Sequence, residues 1–216
     1  MDRDARVVRE LVGAHGRTYA EEAGIRLKDT PQPLYRLLVL AHLLSARIRA
    51  SIAVSTARAL REAGLGGPRQ MADASWQQRV DALGRGGYRR YDERTATQLG
   101  DEAELLNDRW GGDLRRLRAE ADGDVRSLRR LLQEFDGIGP TGADIFLREA
   151  QGVWPETAPY LDRKALQGAG RLGLPEDPGR LVSAAGGTDP AVLAAALVRA
   201  AVDHDVAAEA RAAAPA

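Results

Sequence analysis

Residues 131–174 read LLQEFDGIGPTGADIFLREAQGVWPETAPYLDRKALQGAGRLGL, and this stretch decides what the sequence predicts. Two segments with apolar residues at helical spacing flank a turn at residues 137–140. Its two glycines permit backbone angles closed to other residues, and Pro140 suits the first turn of the second helix. The amides at a helix start point outward with the positive end of the dipole, so the turn could hold a phosphate. An ordinary corner between two helices would show the same pattern.

Composition excludes several classes of protein. The 216 residues include no apolar stretch of membrane-spanning length, and residues 1–10 lack the apolar core of a signal peptide, so we expect a cytoplasmic protein without a membrane span. The chain has no cysteine, which excludes disulfides, thiolate zinc sites and cysteine-ligated iron–sulfur clusters. Three scattered histidines make a histidine-rich metal site unexpected. With 31 basic and 31 acidic residues the net charge is zero, so bulk charge does not favour nucleic acid.

Hydrophobic periodicity predicts helices along the whole chain and no strand. An amphipathic helix is expected over residues 4–14, an apolar one over 34–44 and a polar one over 92–110. The last helix is expected to begin at Asp189, which can cap it, and to continue to about Ala208. The sequence therefore predicts an all-α protein.

Four blocks in chain order resemble the helix-hairpin-helix DNA glycosylase superfamily, nearest its endonuclease III branch. Together they cover roughly residues 30–175. The blocks are the apolar helix ending in Leu44-Ser45-Ala46-Arg47, the loop from Leu83-Gly84 to Tyr91, the turn Gly137-Ile138-Gly139-Pro140-Thr141-Gly142-Ala143, and Leu161-Asp162-Arg163-Lys164. They resemble, respectively, that family's Leu-Ser-Ala-Gln segment, its Gly-Leu-Tyr wedge loop, its hairpin motif and its Val-Asp-Thr-His segment.

The resemblance implies a two-lobed helical fold of the endonuclease III type. One lobe would span residues 30–135, and the other would combine 1–29 with 136–216 and contain the hairpin motif at 128–149. The implied activity is base-excision repair, in which a damaged or mismatched base is flipped out of double-stranded DNA and removed. A monomer associated with the nucleoid is expected.

The resemblance also assigns roles to residues of the DNA-binding surface. Arg47 resembles the plug that fills the vacated base stack, since a guanidinium can stack and also pair with an orphan base. The wedge region and the hairpin grip on the phosphate backbone comprise Arg85, Tyr88, Arg89, Arg90, Tyr91, Gly137, Ile138, Gly139, Pro140 and Gly142. Tyr88 and Tyr91 combine stacking capacity with local positive charge, whereas Tyr35 and Tyr160 are further tyrosines that could stack.

Asp162 resembles the family's catalytic aspartate, which would assist attack by water at C1′. It could equally be the N-cap of the helix that follows, and both roles can hold together. Thr141 stands where bifunctional members carry a lysine and cannot form an imine, so a monofunctional glycosylase without strong lyase activity is expected. Lys164 could contact phosphate or form a surface pair, and the alternative in which it replaces the missing amine and gives a lyase stays open.

Two alternatives to catalysis stay open. The first is a non-catalytic DNA-binding protein of the same fold, which the neutral charge and the missing lysine favour. The second is a helical interaction protein without a role on DNA. In every case no cofactor and no metal are expected, apart from a monovalent cation that the hairpin could hold.

Overall fold

A computed structural model of the protein describes residues 3–213. Local sequence signals determine where its helices begin and end. Within these residues the chain forms fourteen α-helices and one short 3-10 helix, and no strand, so the all-α prediction is confirmed. The helices are α1 (Arg3–His15), α2 (Tyr19–Glu22), α3 (Pro31–Ser45), α4 (Ala50–Glu62), α5 (Pro68–Asp73), α6 (Trp76–Arg85), α7 (Asp92–Trp110), α8 (Leu114–Glu120), α9 (Val125–Leu132), α10 (Pro140–Ala150), α11 (Arg163–Arg171), α12 (Pro178–Ala185), α13 (Pro190–Val202) and α14 (His204–Ala213), with the 3-10 turn at Pro155–Thr157.

Helix boundaries follow capping chemistry. Ser75 forms a capping box with Gln78 at the start of α6. Asp124, Asp162, Asp177 and Asp189 each accept a backbone amide at the start of the helix that follows. These caps satisfy amides that have no partner within the helix.

The C-terminal helix expected over residues 189–208 is instead two helices, α13 and α14. Asp203 interrupts it, because its backbone is extended (φ −126°, ψ 121°). Its side chain accepts the amide of Asp205 at 2.9 Å, which stabilises the beginning of α14. Pattern alone missed this break since apolar residues continue on both sides of it.

The chain divides into two compact units: residues 20–147 form one, and residues up to 19 together with those from 148 onward form the other. The expected lobes also joined the two ends of the chain in one unit. They differ from the observed units at residues 20–29 and 136–147, which both belong to the 20–147 unit. The hairpin turn therefore lies in the same unit as the expected plug and wedge.

In the 20–147 unit, α7 packs against α5, α6 and α8, and α3 packs against α4 and α8. Helix α3 is buried over most of its length, and Leu34, Leu37, Leu38 and Leu40 are fully enclosed. Burial of such side chains contributes about 1.5–3 kcal/mol each. Helix α3 is consequently a rigid support for Ala46 and Arg47, which follow its C-terminal end.

In the other unit, the alanine-rich helix α13 contacts α1, α11, α12 and α14. The crossing with α11 is so close that a β-carbon on Gly168 would lie 1.9 Å from the carbonyl oxygen of Leu197. Such a crossing requires glycine at this position because a backbone atom cannot move aside as a side chain can.

Within residues 3–213, no single helix has both the length and the apolar character needed to cross a membrane; α12 and α13 together, bent by 108°, pass that test by length and composition only.

We predict that Gly168→Ala lowers the free energy of unfolding by about 3 kcal/mol, because the added methyl group overpacks the α11–α13 crossing. Chemical denaturation monitored by circular dichroism measures the change. Gly13→Ala in α1 is the matched control: a β-carbon there meets nothing within 4 Å. That variant should gain up to about 1 kcal/mol from helix propensity. Equal stability of the two variants would contradict the close crossing.

Candidate nucleic-acid interface

The expected plug and part of the expected wedge line one cavity in the 20–147 unit. It has a volume of about 530 Å³ and is lined by Arg47, Ile48, Arg49, Ile52, Gly87, Tyr88, Arg89 and Arg90. We call this cavity the arginine pocket. Residues some forty positions apart in sequence meet here.

Two glycines explain why the wedge loop reaches α4. A β-carbon on Gly86 would lie 2.3 Å from the Cα of Thr56, so the loop contacts the backbone of α4 directly. Gly87 then turns the chain with φ of +92°, a conformation that favours glycine, and the Tyr88 amide donates to the Leu83 carbonyl at 3.0 Å. This turn directs Arg89 and Arg90 toward the beginning of α4.

The arginine pocket has a strongly positive lining. All four arginines are exposed, and none forms a salt bridge with an acidic residue of the described part of the chain. The Arg90 guanidinium lies over the Tyr91 ring, 5.3 Å from its centroid. The pocket also lies at the N-terminus of α4, whose N-cap Arg49 provides no side-chain cap. Apolar surface from Ile48 and Ile52 completes the lining, so the pocket suits a phosphate attached to a flat, partly apolar group.

Tyr88 is not available for stacking on a base. Its ring is only 2% exposed, and its hydroxyl shares a hydrogen bond with Thr95 at 3.1 Å. Burial accordingly raises the pKa of the Tyr88 hydroxyl. This corrects the prediction for Tyr88, which anchors the wedge loop from inside. Tyr35 is likewise excluded from stacking, since its ring is fully buried.

Arg85 lies apart from the arginine pocket. It lines a second depression of about 390 Å³ along α4, together with Arg58 and Glu62. The prediction placed Arg85 with Arg89 and Arg90, but α6 ends at Arg85 and the turn at Gly86 and Gly87 separates it from the other two arginines. Tyr91 remains half-buried beside Arg90 at the start of α7.

The hairpin turn joins α9 to α10 and is held in three ways. Phe135 packs its ring against Trp110 with centroids 5.5 Å apart. Ile138 is buried, and its amide donates to the Phe135 carbonyl at 3.0 Å. Arg129 of α9 and Asp144 of α10 form a two-pronged ion pair with distances of 2.7 and 3.3 Å.

The glycines of the hairpin differ in what they contribute to the fold. Gly137 has φ of +87°, and a β-carbon there would lie 2.3 Å from Cε1 and 2.6 Å from Nε2 of His42. Gly139 has no such requirement: a β-carbon on it meets nothing within 4 Å, and the residue is exposed. A β-carbon on Gly142 would make ordinary contacts of 3.4 to 3.6 Å with Ile138 and Ser45. Of these three glycines, only Gly137 is therefore required by the fold.

The beginning of α10 presents unoccupied amides. Its first residue is Pro140, and Gly139 precedes it without a side chain to cap the helix. The Gly139 carbonyl accepts the Ala143 amide at 3.0 Å, whereas the amides of Thr141 and Gly142 have no recorded acceptor within residues 3–213. Thr141 is exposed. These amides can donate to an external anion.

Sequence reasoning missed a buried polar pair directly beneath this turn. His42 Nδ1 and Glu102 Oε2 are 3.1 Å apart, and the two side chains are 5% and 0% exposed. Burial raises the pKa of Glu102, and its hydrogen bond with His42 opposes that rise. The two residues are sixty positions apart in sequence, so no local motif could have revealed the pair.

Asp162 lies in the other unit, where it is the N-cap of α11. Its Oδ1 accepts the Ala165 amide at 3.1 Å and lies 3.5 Å from Nη1 of Arg148. The carboxylate side chain is 9% exposed, and Oδ2 has no recorded partner in the described part of the chain. One oxygen thus has a structural role and the other is available for chemistry.

Gln151, 3% exposed, positions the segment that leads to Asp162. Its Oε1 accepts the Tyr160 amide at 2.7 Å, and its Nε2 donates to the Tyr160 carbonyl at 3.1 Å. Neither Gln151 nor Arg148 stood out in the sequence, because a glutamine or an arginine at the end of a helix carries no local signal. The Lys164 ammonium donates to Gln167 at 3.1 Å on the surface of α11.

Within the described residues, no group of three or more histidine, aspartate or glutamate side chains is placed to hold a metal ion. No protein-family model and no curated protein matches the chain.

Proposed function

We propose that this protein binds double-stranded DNA that contains a lesion or mismatch, as a member of the helix-hairpin-helix glycosylase type with the two-lobed endonuclease III-like fold. The observation that carries the proposal is the arginine pocket, where four arginines that form no salt bridge with an acidic residue among residues 3–213 meet beside an apolar wall. Phosphates would supply the missing negative charge, and a base or sugar would cover the isoleucines.

In this proposal the hairpin and the arginine pocket are two contacts of one unit with the DNA backbone. The uncapped amides of Thr141 and Gly142 would hold a phosphate, while Arg47 would enter the space left by an extruded base. A monovalent cation at the hairpin is a further part of the proposal. The protein would act as a monomer on the nucleoid.

Base excision by Asp162 is the second candidate function, and the unpartnered Oδ2 favours it. In this reaction a water oxygen bonds to C1′ as the N-glycosidic bond breaks, and the base leaves with the electron pair. The Asp162 carboxylate would accept the proton of the water and stabilise positive charge on the sugar. Arg148, 3.5 Å away, weakens that stabilisation because it partly neutralises the carboxylate. For this reason DNA binding, and not excision, is our first conclusion.

We predict that the double variant Arg47→Ala/Arg90→Ala lowers the affinity for an abasic-site duplex and reduces the slope of log K against log salt by about 0.9 per lost phosphate contact. Fluorescence anisotropy over a salt series measures both quantities. Arg115→Ala/Arg130→Ala is the matched control, since it removes the same charge from exposed arginines that pair with Asp113 and Glu134. Equal losses in the two double variants would show that the arginine pocket has no special part in binding.

We predict that Gly139→Ala weakens duplex binding about tenfold without a loss of stability, because its methyl group points into the open space where a phosphate would approach. Anisotropy and thermal unfolding of the same samples separate the two effects. Gly13→Ala in α1 is the control: its methyl group also meets nothing within 4 Å but lies outside the hairpin, so binding should persist and the free energy of unfolding should rise by up to about 1 kcal/mol. Unchanged binding by Gly139→Ala would argue against a phosphate at the hairpin.

We predict that Asp162→Asn abolishes base release from a panel of lesion-bearing duplexes while DNA affinity stays within about twofold, because asparagine caps a helix as well as aspartate but cannot accept the proton. Single-turnover assays with alkaline cleavage of the abasic product measure release. Asp177→Asn, at the N-cap of α12, is the control for the cap. No release by the wild type on any lesion would leave DNA binding as the whole function; trapping of a covalent adduct with borohydride would instead indicate a lyase.

A further inference from the structure

The arginines of the arginine pocket come from two segments that meet at one cavity. Arg47 and Arg49 precede α4, whereas Arg89 and Arg90 follow the glycine turn of the wedge loop. All four side chains are exposed, and none forms a salt bridge with an acidic residue of the part of the chain that the structure describes. Four like charges around a cavity of about 530 Å³ repel one another, and a bound anion would relieve that repulsion.

Packing, and not ion pairing, holds these arginines around the cavity. Buried Tyr88 anchors the wedge loop from inside through its hydrogen bond with Thr95. The Arg90 guanidinium lies 5.3 Å from the centroid of the Tyr91 ring. Arg49 is the N-cap of α4 and its side chain makes no capping hydrogen bond, so its guanidinium can bind a ligand without weakening the helix. The backbone on both sides of the pocket is therefore already in place, which lowers the cost of binding.

The number of guanidinium groups indicates the kind of phosphate that the pocket takes. The proposed function places Arg47 in a vacated base stack, which leaves three arginines for phosphate. A guanidinium donates two parallel hydrogen bonds to a pair of phosphate oxygens. An internal phosphodiester offers one negative charge and two unesterified oxygens, whereas a phosphate monoester offers a charge of about −1.5 to −2 at pH 7 and three acceptor oxygens. Three arginines thus match a monoester better than a diester.

The shape of the site agrees with a single terminal phosphate. Arginines that contact successive internal phosphates follow the strand, because the charges of that strand repeat along it. Here the arginines line one cavity, whose volume lies within the range of about 300–1,000 Å³ that is typical of small-ligand sites. Ile48 and Ile52 form its apolar wall and can contact the sugar or base that carries the phosphate.

We infer that the arginine pocket binds the terminal phosphate of a broken DNA strand, so that the lesion the protein selects is a gap with a phosphate at its edge. Arg49, Arg89 and Arg90 bind the phosphate oxygens, while Arg47 occupies the space that the missing nucleotide leaves. The inference rests on the proposed function and names the class of DNA that binds to the same site.

The test compares duplexes that differ only at the edge of a one-nucleotide gap. The edge carries a 5′-phosphate, a 5′-hydroxyl or the methyl ester of the 5′-phosphate, and a second set carries the same three groups on the 3′ side. Fluorescence anisotropy with the full chain at about pH 7.5, where the phosphate is mainly a dianion, measures each Kd.

We expect a phosphate on one side of the gap to bind about tenfold more tightly than the hydroxyl, because it adds charge-assisted hydrogen bonds with the arginines. The methyl ester should lose most of this gain, since it has one unesterified oxygen fewer and only a single negative charge. Equal affinity for the phosphate and the hydroxyl on both sides would overturn the inference, and so would a methyl ester that binds as tightly as the phosphate.

A pair of double variants tests whether the gain comes from the pocket. Arg49→Ala/Arg89→Ala should remove the preference for the phosphate, and the fold should persist because both side chains are exposed and form no hydrogen bond within residues 3–213. Arg115→Ala/Arg130→Ala removes the same charge elsewhere on the surface and should keep the preference. A preference that survives in the first variant would overturn the inference.

The outcomes separate this inference from the proposed function. Equal binding of all gap edges, together with binding of lesion duplexes that requires Arg47 and Arg90, would remove the terminal phosphate alone. Binding of deoxyadenosine 5′-monophosphate without binding of any duplex would overturn DNA as the ligand, and with it both proposals. A phosphoserine peptide that binds more tightly than the gapped duplex would do the same and would indicate a phosphoprotein partner.

Discussion

The contact between Gly137 and His42 is the constraint on which the candidate site depends. The backbone of the turn rests on an imidazole ring whose orientation is fixed by an enclosed carboxylate, with 3.1 Å between the two side chains. No larger residue fits at position 137, both because φ is positive and because the ring occupies the space. The glycine turn therefore serves close packing against His42 as well as the exposure of amides. This packing fixes the position at which α10 begins.

Charge distribution, and not total charge, distinguishes the face that we assign to DNA. The chain is neutral, and many of its arginines are paired, as Arg109 is with Glu120 and Glu134. Such pairs leave little field outside the protein. The arginine pocket differs because its four arginines meet without a salt-bridge partner in the described part of the chain, next to the start of α4, which has no side-chain cap. The net charge of the sequence cannot show this difference, because the difference depends on which acidic side chains form ion pairs with which arginines in the folded protein.

Local chemistry in the sequence predicted the helices well and predicted tertiary contacts poorly. The bounds of α7 agree with expectation because Gly111, in the left-handed conformation, ends the helix where the pattern stops. Arg47 and Arg90 line one pocket although they lie in two separate blocks of the sequence, a proximity that the fold alone creates. By contrast, nothing in the sequence shows that Tyr88 points inward and Tyr91 outward, since both stand among arginines. The His42–Glu102 pair and the hold of Gln151 on the segment before Asp162 also needed coordinates, because they join residues whose proximity exists only in the fold.

Gly137 and Gly139, the two glycines of the hairpin turn, are constrained in different ways. The positive φ and the contact with His42 require glycine at position 137. Any related protein that keeps this turn over an imidazole must therefore keep this glycine, whatever its function. No contact within the described residues requires glycine at position 139, so a larger residue can replace it without cost to the packing when no ligand binds at the turn. In any protein with this turn, glycine at the first position would follow from the fold alone, whereas glycine at the second would require a different reason, such as a ligand bound at the turn.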